Sequence, residues 1–164
     1  MRTLPESLLN RRTLLGVAGV LALASVGIAL ITQHLFDMQP CAWCTFQRLL
    51  FLVFAVFALA GWRMAGDGAG RGFAALALVT ALAGIGAALW QHFVASASQS
   101  CAMTLADRII KGGRFDEFAP WLFKATAFCD EANVPLVGIP YALWSVALFA
   151  LLAGLSVAAL RRGR

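Results

Sequence analysis

Four cysteines are the residues of this chain whose type and spacing could carry out chemistry. Cys41 and Cys44 form a Cys-x-x-Cys motif just before an apolar stretch, and Cys101 and Cys129 lie in the longest polar segment. Thiols that come in two pairs can exchange disulfides, because a thiolate attacks a neighbouring disulfide through a mixed-disulfide intermediate. The pattern therefore indicates dithiol–disulfide chemistry close to apolar segments.

Two further residues are candidates to assist this chemistry. The partial positive charge at a helix N-terminus favours a thiolate on the first turn, and Arg48 adds a fixed charge one turn after Cys44. An arginine at the edge of an apolar segment is a functional candidate, although many such side chains simply extend to lipid headgroups. His92 follows the third apolar stretch at the same face, where a lone histidine is more often only solvated.

Other uses of the cysteines fit the spacing less well. Thr45 rather than histidine follows the Cys-x-x-Cys motif, which argues against covalent haem attachment. A four-cysteine zinc site normally has two close pairs, whereas Cys101 and Cys129 are far apart, so no metal site is predicted. The chain has no Rossmann glycine pattern and no iron–sulfur spacing. A membrane-soluble quinone would require neither, and two purely structural disulfides remain an alternative.

The composition indicates which elements must position these residues. The 164 residues are 61% hydrophobic and 13% charged, with a mean hydropathy of +0.81, whereas soluble domains carry about 25% charged residues. The natural solvent is therefore a lipid bilayer. The net charge of +5 does not predict nucleic-acid binding, because the basic residues are not clustered on a polar domain. We predict one all-α domain, a four-helix membrane bundle, with spans at about 14–31, 45–64, 73–90 and 141–160.

The distribution of lysine and arginine predicts the orientation of the bundle. Eight of the thirteen basic residues lie in the N-terminus, the 63–72 linker and the C-terminus, while six of the eight acids lie on the other side. The positive-inside rule then places both termini in the cytoplasm. Arg11-Arg12 also resembles a twin-arginine signal, but the apolar run continues unbroken and three spans follow, so an uncleaved first helix is predicted.

All four cysteines then face outward, on loops at about 32–44 and 91–139. In a bacterial inner membrane this side is the periplasm, where disulfides persist. Within the second loop, apolar residues at helical spacing predict a short helix that ends at Gly112-Gly113. They are Ala102, Leu105, Ala106 and Ile109. An aromatic-rich stretch at 115–124 follows, and we expect these short helices to lie along the membrane interface or to pack on the bundle as a lid.

The combination of topology and cysteine order resembles the disulfide bond formation protein B (DsbB) family of bacterial inner membranes. The resemblance covers nearly the whole chain. It is carried by Cys41-Ala42-Trp43-Cys44 at the start of the second span, Arg48, the two loop cysteines, and Gly138-Ile139-Pro140 leading to Trp144. The combination is specific, although each element alone is weak.

The resemblance implies an enzyme, a protein-disulfide:quinone oxidoreductase. The disulfide Cys101–Cys129 would oxidise a reduced periplasmic thioredoxin-fold oxidase (DsbA-like), with Cys101 forming the mixed disulfide. Cys129 would then pair with Cys41 and free Cys44 as a thiolate facing a membrane quinone, either ubiquinone or menaquinone. Arg48 would support the reduced quinone and His92 would line its site. The expected partners are the oxidase, the quinone pool and the lipid bilayer, and no nucleic acid.

Two departures and two alternatives accompany the resemblance. Gln47 stands where the best-known members have an acidic residue, and Val134 replaces an aromatic residue.

One alternative is a four-span enzyme resembling vitamin K epoxide reductases. In those enzymes the loop cysteines precede the Cys-x-x-Cys motif, which is the reverse of the order here. The other is a membrane protein whose disulfides are structural and do not exchange. Transport is not expected, because the spans contain no carboxylate or lysine for an ion path.

Overall fold

The computed structural model of the chain describes residues 10–66, 68–97 and 104–162. Within these ranges, four helices are long and apolar enough to cross a membrane, which confirms the predicted all-α, four-helix fold. They are α1 (Arg11–Leu35), α2 (Ala42–Arg63), α3 (Gly68–Phe93) and the last helix, α8 (Tyr141–Arg161). The helices extend a few residues beyond the apolar stretches, because backbone hydrogen bonding continues into their polar ends.

The four long helices pack in a closed ring. Helix α1 packs on α2, α2 on α3, α3 on α8, and α8 returns to α1. Small residues line the contacts, as in other membrane bundles, where they allow close approach of the backbones. Fully buried examples are Ala18, Ala22, Ala58, Ala74, Ala77, Ala81 and Ala88.

Short elements cover one end of this ring. They are α4 (Leu105–Gly112), α5 (Phe115–Phe118), α6 (Pro120–Phe123), α7 (Cys129–Ala132), and the two-residue strands β1 (Pro135–Leu136) and β2 (Ile139–Pro140), which form an antiparallel pair. Ile110, Leu122 and Phe123 join the core of the bundle. Phe118 is 90% exposed and Trp121 is also exposed. The segment is thus a packed lid that still presents aromatic side chains outward.

The buried face of α4 differs from the predicted one. Ala106 and Ile110 are buried, whereas Leu105 is 62% exposed and Ile109 lies at the surface. The predicted position Ala102 lies outside the described residues. A capping box at Thr104 starts the helix and sets the register, so that positions 106 and 110, one turn apart, face α2.

A buried arginine joins the opposite end of the bundle. The Arg11 guanidinium donates to the carbonyl oxygens of Ala159 (3.3 Å), Ala65 (3.2 Å) and Arg162 (2.9 Å). These carbonyls belong to the end of α8 and to the turn after α2, where a helix leaves its last acceptors without internal partners. The first turn of α1 is therefore an integral part of the bundle.

Candidate redox site

The Cys-x-x-Cys motif lies at the first turn of α2, at the start of the second span as predicted. Cys41 is the N-cap residue, and its sulfur accepts a hydrogen bond from the backbone N–H of Cys44 at 3.4 Å. The two sulfurs are 3.0 Å apart, and Cys41 is only 1% exposed. The motif thus brings its two sulfurs within reach of each other.

Cys129 belongs to the second outer loop and lies beside the Cys-x-x-Cys motif. It is the first residue of α7, and its side chain packs in one cluster with Cys41, Trp43 and Cys44. The hydroxyl of Ser96 donates to its carbonyl oxygen at 3.3 Å. Cys41 thus lies between Cys44 and Cys129, and three of the four predicted cysteines form a row of sulfurs.

The two outer loops are joined directly beside this row. The backbone N–H groups of Thr126 and Ala127 donate to the carbonyl oxygen of Pro40, at 2.9 and 3.2 Å. Proline has no N–H group of its own, but its carbonyl remains a full acceptor. This contact fixes the segment before α7 against the residue before Cys41. The fourth predicted cysteine, Cys101, lies outside the described residues.

The hydrogen bonds between the sulfurs shift the acidity of two thiols in opposite directions. The S–H group of Cys41 faces Cys129, and this interaction, with a hydrogen bond from the backbone N–H of Trp43, holds the pKa of Cys129 below the ordinary thiol range. The interaction with Cys129, the nearby sulfur of Cys44 at 3.0 Å, and burial raise the pKa of Cys41 well above that range. Of these two residues, Cys129 is therefore the one that ionises more readily.

Arg48 lies one turn beyond Cys44 and is buried, with 6% of its surface exposed. It does not extend to the headgroups. Its guanidinium donates to Gln33 Oε1 at 2.6 Å, to the carbonyl of Leu122 at 3.0 Å, and to that of Ala29 at 3.3 Å. None of these acceptors is charged, and among the described residues Arg48 forms no ion pair. A buried cation held only by neutral acceptors favours an anionic ligand nearby.

A cavity of about 250 Å³ adjoins Cys44 and Arg48. Its wall is mostly apolar and comes from all four long helices and the β1 strand. The lining residues are Ser25, Ile28, Ala29, Cys44, Gln47, Arg48, Phe51, Gln91, Leu136, Tyr141, Trp144, Ser145 and Leu148. A flat apolar ring with polar oxygens suits such a wall, since small-molecule sites are mostly apolar with a few placed polar groups.

Two glutamines at this cavity were not predicted as site residues. Gln91 Nε2 donates to Cys44 Sγ at 3.2 Å, and Gln47 Nε2 donates to Gln91 Oε1 at 2.5 Å. The two amides lie on α3 and α2 and are 1% and 3% exposed. The sequence does contain one indication of their role. An amide side chain near the end of an apolar helix requires a hydrogen-bond partner, because burying it without one is costly.

His92 lies next to Gln91 but is not among the residues that line the cavity. Its Nδ1 accepts from Asn133 Nδ2 at 3.2 Å, and Asn133 Oδ1 accepts from the backbone N–H of Ala142 at 3.2 Å. His92 therefore supports the segment that leads into α8. A direct role at a quinone site stays a prediction.

Comparison with known proteins identifies the family. The family profile described as "Disulfide bond formation protein DsbB" matches residues 11–159. "Disulfide bond formation protein B 1" of Pseudomonas syringae pv. syringae is 32% identical over 158 residues, which cover 94% of this chain and 92% of the relative. "Disulfide bond formation protein B" of Burkholderia thailandensis is 32% identical over 168 residues, covering 100% and 98%. No solved structure gives a significant match. The chain belongs to the DsbB family of disulfide bond formation proteins.

Proposed function

We propose that the protein reoxidises a periplasmic thioredoxin-fold disulfide oxidase (DsbA-like) and passes the electrons to a membrane quinone, ubiquinone or menaquinone. The observation that carries the proposal is the row of sulfurs from Cys129 through Cys41 to Cys44, which ends at the cavity beside Arg48. Membership of the family supports a role in disulfide bond formation.

The thiol steps balance as a chain of exchanges. A thiolate of the reduced oxidase attacks Cys101 in the Cys101–Cys129 disulfide, which forms a mixed disulfide and releases Cys129 as a thiolate. Cys129 then attacks Cys41 in the Cys41–Cys44 disulfide, forms Cys41–Cys129, and releases the Cys44 thiolate. The second thiol of the oxidase displaces Cys101, so the oxidase leaves as a disulfide. Cys101 then attacks Cys129 in the Cys41–Cys129 disulfide, which re-forms Cys101–Cys129 and releases Cys41. Cys41 and Cys44 together then hold the two electrons, and they would give these electrons to a bound quinone as the Cys41–Cys44 disulfide re-forms.

The residues at the cavity fit a quinone. When bound, a quinone supplies the acceptor for two electrons and two protons. Arg48 provides a fixed positive charge for an anionic form of that acceptor and for the Cys44 thiolate. The apolar wall excludes water from the thiolate, and the side chains of Tyr141 and Trp144 offer aromatic surface to a ring.

The acidity of the thiols supports the order of the exchanges. The pKa of Cys129 is lowered by the Cys41 thiol and by the backbone N–H of Trp43, and the Trp43 donor remains when Cys41 is in a disulfide, so it still favours the attacking thiolate. Cys129 packs in one cluster with Cys41, so the attacking sulfur lies near the sulfur it must reach. We infer that the site faces the periplasm of a bacterial inner membrane, which the charge distribution supports.

The test mixes the purified protein, a quinone and a reduced thioredoxin-fold oxidase, and follows quinone absorbance. We expect quinone reduction that is abolished by serine at any one of the four cysteines.

Arg48→Leu should lower quinone reduction at least about tenfold, mainly through a higher KM for the quinone. Arg71→Leu, at the opposite end of the bundle, serves as the control. Stable cysteines with no quinone turnover would instead indicate structural disulfides and overturn the proposal.

A further inference from the structure

Two glutamines connect the cavity wall to the sulfur of Cys44. Gln91 donates to Cys44 Sγ at 3.2 Å, and its oxygen accepts from Gln47 at 2.5 Å. Both side chains are almost completely buried between α2 and α3. Placing two amides in such a setting is costly unless each polar atom has a partner, so the arrangement indicates a role beyond packing.

Gln47 determines which end of the Gln91 amide faces the sulfur. A glutamine side chain has a donor end and an acceptor end of nearly the same shape. Because the nitrogen of Gln47 donates to the oxygen of Gln91, the nitrogen of Gln91 is the end that remains for Cys44. An N–H group directed at sulfur stabilises a thiolate, while a carbonyl oxygen in its place would repel it.

We propose that Gln91 and Gln47 are positioning residues for the Cys44 thiolate, with Gln91 donating to the sulfur and Gln47 acting through Gln91 by fixing its orientation. The inference deepens the proposed function and rests on it for its biological purpose. The two amides complement Arg48, which supplies charge from the next turn of α2. Its guanidinium donates to Gln33, Leu122 and Ala29.

The identity of residue 47 makes the arrangement testable. In a Gln47→Glu variant, an ionised carboxylate can only accept, so the amide of Gln91 must turn its nitrogen toward residue 47. Its oxygen would then face Cys44 and disfavour the thiolate, and the added negative charge would act in the same direction. Gln47→Met would leave the orientation of Gln91 unspecified. It would therefore disfavour the Cys44 thiolate less than Gln47→Glu does.

The experiment uses full-length protein in which Cys41, Cys101 and Cys129 are replaced by serine, so that Cys44 is the only thiol. The rate of alkylation by iodoacetamide is measured against pH, without quinone. A hydrogen bond to a charged group favours the charged form, so Gln91→Met should lower alkylation near neutral pH about tenfold and move the pH midpoint upward. Gln47→Glu should do the same.

A double-variant comparison separates positioning from a structural effect. Gln47→Met should have no further effect once Gln91 is methionine, because it acts only through that amide. Thr80→Val is the control, since Thr80 is a buried polar residue of α3 whose hydroxyl bonds to its own helix at Leu76. It should leave the profile unchanged.

The outcomes are distinct from those of the proposed function. An unchanged alkylation profile in Gln91→Met, with a melting temperature equal to that of the parent, would overturn the inference. Equal, additive effects of the two glutamine variants would overturn the part assigned to Gln47. Failure of quinone reduction by the unmodified protein would overturn the proposed function but leave the alkylation result standing.

Discussion

At the scale of residues, the row of sulfurs is asymmetric. Cys41 is buried and donates hydrogen bonds, whereas Cys129 receives them from Cys41 and from the backbone of Trp43. A donor lowers the pKa of the thiol that it faces, since the hydrogen bond favours the charged form. In the dithiol form, the sulfur on the outer loop is therefore the more readily ionised, and the sulfur in the middle stays protonated.

This asymmetry predicts the order of alkylation in the fully reduced protein. Because the pKa of Cys129 is lowered, its thiolate forms as pH rises before that of Cys41, whose raised pKa keeps it protonated to higher pH. Isotope-coded alkylation across a pH series, read by mass spectrometry, should show Cys129 reacting at lower pH. The variant Cys41→Ala removes the donor and should move the Cys129 midpoint upward. Ser156→Ala is the control, since the Ser156 hydroxyl bonds to its own helix at Leu152. Reaction of Cys41 before Cys129 would contradict the prediction.

At the scale of elements, the site depends on where helices begin and how closely they approach. The start of α2 could be predicted to within two residues, because Pro40 disfavours helix for the residue before it and suits a first helical turn. In the structure the helix begins at Ala42, with Cys41 at the N-cap and Pro40 just before it. The pairing of Gln47 with Gln91 could not, because the partners are 44 residues apart and lie on different helices. Hydrophobic periodicity reports which face of a helix is apolar and contains no information about the partner of a buried amide.

Helices α3 and α8 approach each other closely at Gly84. A methyl group at this position would overlap the ring of Phe149, which is fully buried and stacks on Phe51 with ring centroids 3.9 Å apart. Phe51 in turn lines the cavity beside Cys44. The absence of a side chain at residue 84 therefore determines where the apolar wall of the site lies.

Gly84→Ala is expected to destabilise the bundle, because overpacking a tight contact costs about 1–3 kcal/mol. The melting temperature of the purified protein in detergent should fall, and quinone KM should rise as Phe149 displaces Phe51. Gly86→Ala is the matched control on the same helix, since an added methyl there meets nothing within 4 Å. Equal melting temperatures for the two variants would show that Phe149 can move aside without any loss of stability, which would contradict the prediction.

At the scale of the whole molecule, charge separates along the bundle axis. One end has the arginines of the helix termini, and two of them, Arg12 and Arg63, lie over the ring of Trp62 at 5.5 and 5.7 Å from its centroid. Aromatic and basic side chains together are typical of a membrane interface. The other end contains the row of sulfurs and most of the carboxylates.

This charge separation predicts that the sulfurs face away from the cytoplasm. The test uses single cysteines at exposed sites of the two ends, in protein whose native cysteines are serine. They are Ala69→Cys in the first turn of α3 and Ala125→Cys before Cys129. A membrane-impermeant maleimide added to intact spheroplasts should label Ala125→Cys, and should label Ala69→Cys only after lysis. Labelling of Ala69→Cys in intact cells would place the sulfurs in the reducing cytoplasm, where a disulfide relay of this kind would be kept reduced and the proposed function would fail.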